Sequence, residues 1–428
     1  MPSGKVWWIT CAGAGEKRAS PKFDPAMKIL FLSTWFPYPL SQGSKIRAYH
    51  LLKSLAGRHE VTLLSFRDTM IQPEWIAVVE GLGVRVRLIE RDPFAAGGWR
   101  RLAGWFSPRP NAVVATYSRE MAAAVAELAD SWQPDAVVAL TFVTAAYALE
   151  VRGACHVVDI DNLMARMMEE DFRKAKRLRE RARRWLAWRK FLRYEKWLYR
   201  QFELCLAVSP SDRKVLNEQY GLSLEQISVA PNGAVFDADT QPTPPPEPDS
   251  LVFNGALTYQ ANFEAVDYFL REVFPGVRRQ VPTARLYVTG STNGVALEKL
   301  PEREGVIFTG YLDDVKPRVS ASWACVVPLW TGGGTRLKIL EAMSLGVPVI
   351  STYKGVEGLN VRPGEDFLPA GSAAEFTAQC VRLLRDATLR ERLAKNARGQ
   401  VQTMYDWNKI ERDFCASLEA CRERFAHD

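Results

Sequence analysis

PLWTGGGTRLKILEAMSLGVPVIST, residues 328–352, decides how the rest of this 428-residue chain is read. The apolar run ACVVPL reads as a strand, and three glycines, Gly332, Gly333 and Gly334, lead from it straight into a helical pattern. Thr335 is expected as the N-cap, Gly346 as the helix stop, and Pro348 opens the next strand. Glycines at such a junction let the backbone approach an anion, and the free N–H groups of the first helical turn point at it. Arg336 and Lys338 add positive charge at the end where the helix dipole alone favours Asp or Glu. That combination predicts an external anion, with a diphosphate as the natural ligand. Lys338 and Glu341 share one face. Leu337, Ile339, Leu340, Ala342 and Met343 are apolar nearly all round, so the helix is expected to be buried and an ionised Glu there needs a partner. Two readings stay open: a Lys338–Glu341 pair on a solvated edge, or a carboxylate that accepts two hydroxyl hydrogen bonds from a ribose.

Outward from this stretch, short apolar strands alternate with helical patterns. MKILFLST opens the series at Met27, followed by a helix over about 44–56, EVTLLSF, a helix near 74–81, VRVRLIE, DAVVAL, CHVVDI and LCLAV. PNGAVFDADTQPTPPPEPDS interrupts it with prolines that cannot continue a helix or a central strand. SLVFNG, a helix over 263–273, ARLYVTG, GVIFTG, ACVVPL, a helix over 337–345 and VPVIST then resume it. Such alternation predicts βαβ units and parallel sheets. The expected plan is a tail over 1–26, an α/β domain over 27–236, a Pro-rich linker over 237–250, and a second α/β domain over 251–407. Ligands of open parallel sheets bind beyond the carboxyl ends of the strands.

Composition narrows the class. Hydrophobic residues make up 47% and charged residues 25%, values of an ordinary globular protein. No apolar stretch reaches the roughly 20 residues needed to cross a bilayer, and the first 26 residues are too broken for a signal peptide. The seven cysteines show no CxxC pair, which predicts buried free thiols in a reducing cytoplasm. The four histidines stand at no metal-ligand spacing. Net charge is +7, yet 172–200 alone carries thirteen Lys/Arg against two Glu, so the remainder is slightly acidic. The stretch 172–202 reads as one long helix with Trp185, Trp188, Trp197 and Tyr199 among its cations. A solvated face packing its aromatics inward and an anionic membrane surface both fit this pattern, whereas nucleic-acid binding is not expected.

The segment GGGTRLKILEAM resembles the donor-binding stretch of retaining GT-B glycosyltransferases of family four, also called group 1. WFPYPLSQGSKIRAYHLLKSL, VAPNGAVFD, VFNGALTYQANFEAVDYF and FTGYLDDV add to the resemblance, which covers about 27–407. It implies the GT-B fold, two Rossmann-like domains facing a central cleft, with the final helix (408–428) crossing back to the first. It further implies that Glu341 holds the donor ribose. Gly333, Gly334, Thr335 and Arg336 would meet the diphosphate, with Lys338 and Arg336 supplying charge, and Gly43 would close over the phosphates. Gly255 would lie in the loop after the second domain's first strand, and Gly310, Tyr311 and Leu312 against the base. Arg47, Asp161 and Asn162 are candidates for contact with the acceptor or the transferred sugar.

The implied reaction is metal-independent transfer of a hexosyl group, with retention, from a UDP- or GDP-linked sugar to a glycan or lipid-linked acceptor. It would run in the cytoplasm or at the inner face of its membrane, with no cofactor. The leaving diphosphate would be stabilised by Lys338, Arg336 and the helix amides. The chain departs from the family pattern in three places. Gly333 stands where the first Glu of the family's pair is usual, the loop GALTYQAN carries no cation, and VVALTFVTAAY carries no His. Two other readings keep the fold: a nucleotide-sugar epimerase, which the lack of suitable His disfavours, and a nucleotide-sugar-binding subunit without activity. Asp159-Ile-Asp161 looks like the metal motif of the other major glycosyltransferase fold, but it ends a strand, where turn residues are common. Asp313–Asp314 is expected to cap the helix that follows.

Overall fold

A computed structural model describes residues 27–67, 70–95, 107–236, 245–302, 304–332 and 336–427. The tail 1–26, residues 237–244 of the expected linker, and the expected diphosphate residues Gly333, Gly334 and Thr335 lie outside them. The chain divides into two units, one running to Ala230 and taking back Glu411 onward, the other spanning Pro231–Ile410.

In the first unit the described strands are β1 (Lys28–Ser33), β2 (Glu60–Phe66), β3 (Arg85–Ile89), β4 (Ala136–Leu140), β5 (Cys155–Ile160), β6 (Leu204–Ala207) and β7 (Ile227–Val229). They form a parallel sheet in the order β3-β2-β1-β4-β5-β6-β7. Helices α1 (Gly43–Ala56), α2 (Pro73–Glu80), α3 (Asn111–Thr116), α4 (Arg119–Trp132), α5 (Thr141–Ala148), α6 (Met164–Lys174), α7 (Leu178–Tyr199) and α8 (Pro210–Glu218) connect them. Ile29–Leu32 and Val137–Ala139 are fully buried without alternation, as strands covered on both faces must be. Helix starts follow local chemistry: the Ser118 and Ser209 hydroxyls accept from the Met121 and Asp212 amides, and Pro73 and Pro210 open their helices.

The second unit holds β8 (Ser250–Asn254), α9 (Gln260–Tyr268), α10 (Phe274–Gln280), β9 (Arg285–Thr289), β10 (Val306–Gly310), α11 (Lys316–Ser320), β11 (Ala324–Val327), α12 (Leu337–Ser344), β12 (Val349–Ser351), β13 (Leu368–Pro369), α13 (Ala373–Arg385) and α14 (Ala387–Tyr405). Its parallel sheet runs β10-β9-β8-β11-β12-β13. α15 (Trp407–His427) starts here, and from Glu411 onward it belongs to the first unit. There Glu411 meets His50 at 2.7 Å, Ser417 meets Ser228 at 3.0 Å, and the Cys421 sulfur lies 3.2 Å from that of Cys155. The cysteines among the described residues are free and buried.

Local expectations needed four corrections. α12 starts at Leu337 with Arg336 rather than Thr335 at its N-cap position, and the Arg336 side chain makes no capping bond. At its far end Gly346 (φ +72°) does stop it: the Val347 and Gly346 amides donate to the Ala342 and Met343 carbonyls. The expected long helix over 172–202 is two, α6 and α7, broken after Lys174. The expected helix over 263–273 begins at Gln260 and widens into a π-turn over Phe269–Val273. Pro275 is the physical reason, because its ring displaces the carbonyl four residues back and it has no N–H to donate. Asp314 does bond the Lys316 amide at 3.0 Å, although Val315 occupies the cap position of α11.

Glu195, which the sequence did not single out, ties α7 to the start of α6. It is fully buried and accepts from the Tyr220 hydroxyl at 2.7 Å and from the Met164 and Ala165 amides at 3.1 and 3.2 Å. Burial raises its carboxyl to about 7, against the pull of these donors. A carboxyl raised in the folded state binds protons more tightly than in the unfolded chain, so its stabilising share is lost as pH rises from about 4.5 towards 7. Glu195→Gln is expected to flatten that part of the fall in melting temperature between pH 5 and 8. An unchanged profile in thermal scans would rule this titration out.

Candidate functional site

The second sheet changes direction between β8 and β11, and of the sequence-predicted donor residues Gly255 follows β8, Tyr311 and Leu312 follow β10, and Arg336, Lys338 and Glu341 come after β11. Gly290 (φ +111°) follows β9 so closely that a Cβ would sit 2.6 Å from the Ala256 nitrogen, which only glycine permits. Gly255 follows β8. A Cβ on it would collide with Lys338 Nζ and lie 2.9 Å from Asn262 Nδ2. Gly255→Ala is therefore expected to push the Lys338 ammonium aside and to lose nucleotide-induced thermal stabilisation while the chain still folds. Undiminished stabilisation by UDP or GDP would count against the packing argument.

Lys338 stands on the first turn of α12. Its Nζ donates to Asn262 Oδ1 at 2.7 Å and sits 4.2 Å from the centroid of the Phe253 ring. Burial lowers its pKa to about 7, and the nearby Arg336 charge lowers it further while Cys325 acts in the other direction. Arg336 is buried at 7% exposure, with Nη2 3.5 Å from the Thr331 carbonyl. Glu341, one turn further, accepts a hydrogen bond from Asn254 Nδ2. Burial raises its carboxyl above the usual range, and the Asn254 bond and the Lys316 charge oppose that. Each of the two ionisable side chains is thus held by its own asparagine, and the solvated-edge ion pair between them is not formed. Sequence reasoning missed Asn254 and Asn262. The available signal was a polar residue closing the apolar run LVFN and another in the first turn of α9.

Gly310 ends β10, where its carbonyl accepts from the Gly290 amide at 2.9 Å. Tyr311 and Leu312 follow directly, with Tyr311 at 55% exposure. The second unit therefore offers two neighbouring cations, an acid one turn further along the same helix, and an exposed aromatic just after β10.

In the first unit, Gly43 is the first residue of α1 rather than part of a loop, and the neighbouring Ser44 hydroxyl donates to Asp161 Oδ2 at 2.9 Å. Arg47 is buried at 1% exposure, and its Nε and Nη2 donate to Asp159 at 2.8 and 2.6 Å. That pair ties α1 to β5 and engages Arg47 away from the surface. Asp161 and Asn162 line a cavity of about 670 Å³ together with Trp35, Phe94, Phe142 and Met164. Thr141, also on its wall, adopts φ +65°, a conformation costly for a β-branched side chain. It follows β4 at this sheet's own switch point, and its hydroxyl lies 3.0 Å from that of Thr34.

Two family models match the chain. Glycosyltransferase Family 4 covers residues 41–237, and Glycosyl transferases group 1 covers residues 248–386. Glycogen synthase of Mycobacterium tuberculosis is 25% identical over 410 residues, 90% of this chain and 92% of that protein. An uncharacterized protein of the cps region of Klebsiella pneumoniae is 24% identical over 169 residues, 38% of this chain and 44% of that protein's length. Among solved structures, HepE of Anabaena in complex with UDP and glucose superposes with a TM-score of 0.64 at 16% identity, covering 92% of this chain and all of that one. WaaG, a glycosyltransferase involved in lipopolysaccharide biosynthesis, gives 0.59 at 16% identity, covering 91% and 98%. With both halves matched in order and the architecture shared along almost its whole length, the chain belongs to the family 4, group 1 glycosyltransferases of GT-B fold, which use nucleotide-sugar donors.

Proposed function

We propose that this enzyme transfers a hexosyl group, with retention and without a metal ion, from a UDP- or GDP-linked sugar to a lipid-linked or polysaccharide acceptor in bacterial glycan assembly. The observation that carries the reading is the Lys338 ammonium, held by Asn262 beside Arg336 at the carboxyl edge of the second sheet. A leaving nucleoside diphosphate gains negative charge as the glycosidic bond breaks, and preorganised cations there favour the transition state over the bound donor. Glu341, anchored by Asn254, accepts the ribose hydroxyls, and Tyr311 with Leu312 flanks the base. Gly255 keeps the phosphate approach open. Gly333, Gly334 and Thr335, which complete the proposed diphosphate contacts in the sequence, lie outside the described residues.

In the first unit, Asp161, Asn162 and Thr141 offer polar contacts in a cavity that Trp35, Phe94, Phe142 and Met164 also line, which suits an acceptor with an apolar portion. Arg47 supports Asp161 through the strand it pins rather than by touching sugar. The setting is supported by the likeness to a protein of a cps region and by the fold shared with WaaG, a glycosyltransferase involved in lipopolysaccharide biosynthesis, and with HepE, solved in complex with UDP and glucose.

The test is a panel of UDP- and GDP-hexoses, scored for thermal stabilisation, donor hydrolysis and transfer, with the product anomer read by NMR. Retained configuration with one preferred donor is the expected result. An inverted product, or no response to any nucleotide-sugar, would remove the proposal. Gly333 at the position of the family's first Glu favours a second reading, a binding subunit without turnover. Stabilisation by a donor without hydrolysis or transfer would select it.

A further inference from the structure

We propose that the outer face of α7 is a docking surface for an anionic lipid bilayer, to which the protein binds peripherally. The inference stands on this face alone and goes beyond the transfer reaction. One side of α7 is buried through Phe191, Tyr194, Glu195, Leu198 and Tyr199. On the other, Leu178, Trp185, Leu186 and Trp197 are exposed at 85%, 47%, 52% and 51%. At 100° per residue they fall, with Arg189 and Arg193, within a stripe of roughly a third of the helix circumference. Arg179 and Arg183 flank it, and neither forms an ion pair with a carboxylate among the described residues. The other two aromatics noted in the sequence turn inward: Trp188 stacks on Phe172 of α6 with centroids 5.7 Å apart, and Tyr199 is 1% exposed.

A merely solvated face accounts for the arginines and leaves four large apolar side chains in water without a reason. Nucleic acid would engage arginine and tryptophan and leave Leu178 and Leu186 idle. A bilayer engages all of them: leucines at the acyl boundary, tryptophans at the headgroup level, arginines on lipid phosphates. No described helix is long and apolar enough to cross a membrane, so the contact is with the surface. α6, which packs on α7, begins at Met164 on the wall of the first unit's cavity.

Co-sedimentation of the full chain with phosphatidylglycerol and phosphatidylethanolamine vesicles in a roughly 1:3 ratio tests this. Binding is expected at about 0.05 M salt, with release at about 0.5 M and little binding to phosphatidylcholine alone. Trp185→Ser with Leu186→Ser, and separately Arg183→Glu with Arg193→Glu, should each weaken binding about tenfold or more. Both pairs should keep the wild-type melting temperature and donor hydrolysis. Failure to sediment at low salt, equal binding to phosphatidylcholine, or indifference to the serine pair would overturn the proposal. Tighter binding to a duplex RNA oligonucleotide that survives the serine pair would overturn it in favour of nucleic acid. Loss of donor hydrolysis by the wild type would strike the proposed reaction and leave this surface untouched.

Discussion

Lys338→Met is expected to reduce sugar transfer by about 10³-fold or more, the loss typical when one preorganised charge donor is removed from a developing anion. It is also expected to abolish thermal stabilisation by UDP or GDP without unfolding the apo protein. Methionine keeps the stem packed on Phe253 and removes an ammonium whose pKa burial has already lowered to about 7. The pH dependence gives a second handle. A lysine depressed in the folded state contributes stability above its unfolded pKa of 10.5 and loses it as pH falls through about 7. Between pH 7 and 9 the wild type should therefore gain apo stability relative to Lys338→Met. Over the same interval its nucleotide affinity should weaken, because the diphosphate needs the ammonium charged. Opposite slopes for apo melting temperature and nucleotide affinity, both removed by the substitution, are the expected signature. Full turnover by the variant would place the diphosphate elsewhere.

Glu341→Gln is expected to weaken nucleoside diphosphate binding about 10- to 100-fold, the worth of exchanging charge-assisted hydrogen bonds to two hydroxyls for neutral ones. Asn254 can still donate to the glutamine carbonyl, so the fold and the placement of α12 are preserved. Inorganic pyrophosphate separates the two ends of the site. Its binding should be nearly unaffected by Glu341→Gln and lost with Lys338→Met. Calorimetric titration of UDP and pyrophosphate against both variants would show this. Equal losses for the two ligands in Glu341→Gln would mean that the carboxylate does not serve the ribose.

How much could be read from the sequence depends on how far apart the causes lie along the chain. Buried parallel strands announce themselves as unbroken apolar runs, and serine caps, opening prolines and the Gly346 stop act within one turn, so the two α/β units were legible. The glycine-rich junction with its two cations and one acid was legible for the same reason, being contiguous in sequence. Even within short range, a competing geometry can win: Pro275 forced a π-turn where a plain helix was expected, and the helix broke after Lys174 where one continuous helix over 172–202 was expected.

Only the tertiary structure decided what holds the candidate site's ionisable groups. Asn262 lies 76 residues before Lys338, and Asn254 lies 87 before Glu341. A side chain at such separation is brought into contact by sheet order, which no local pattern encodes. Arg47 shows the same limit: the sequence made it a candidate for contact with the acceptor or the transferred sugar, and in the fold it is buried against Asp159, 112 residues away. Burial also set the proton affinities of Lys338 and Glu195 near neutrality, because desolvation depends on everything packed around a charge. The residue types that can do the chemistry were therefore determined by the sequence, and their partners and charge states by the fold.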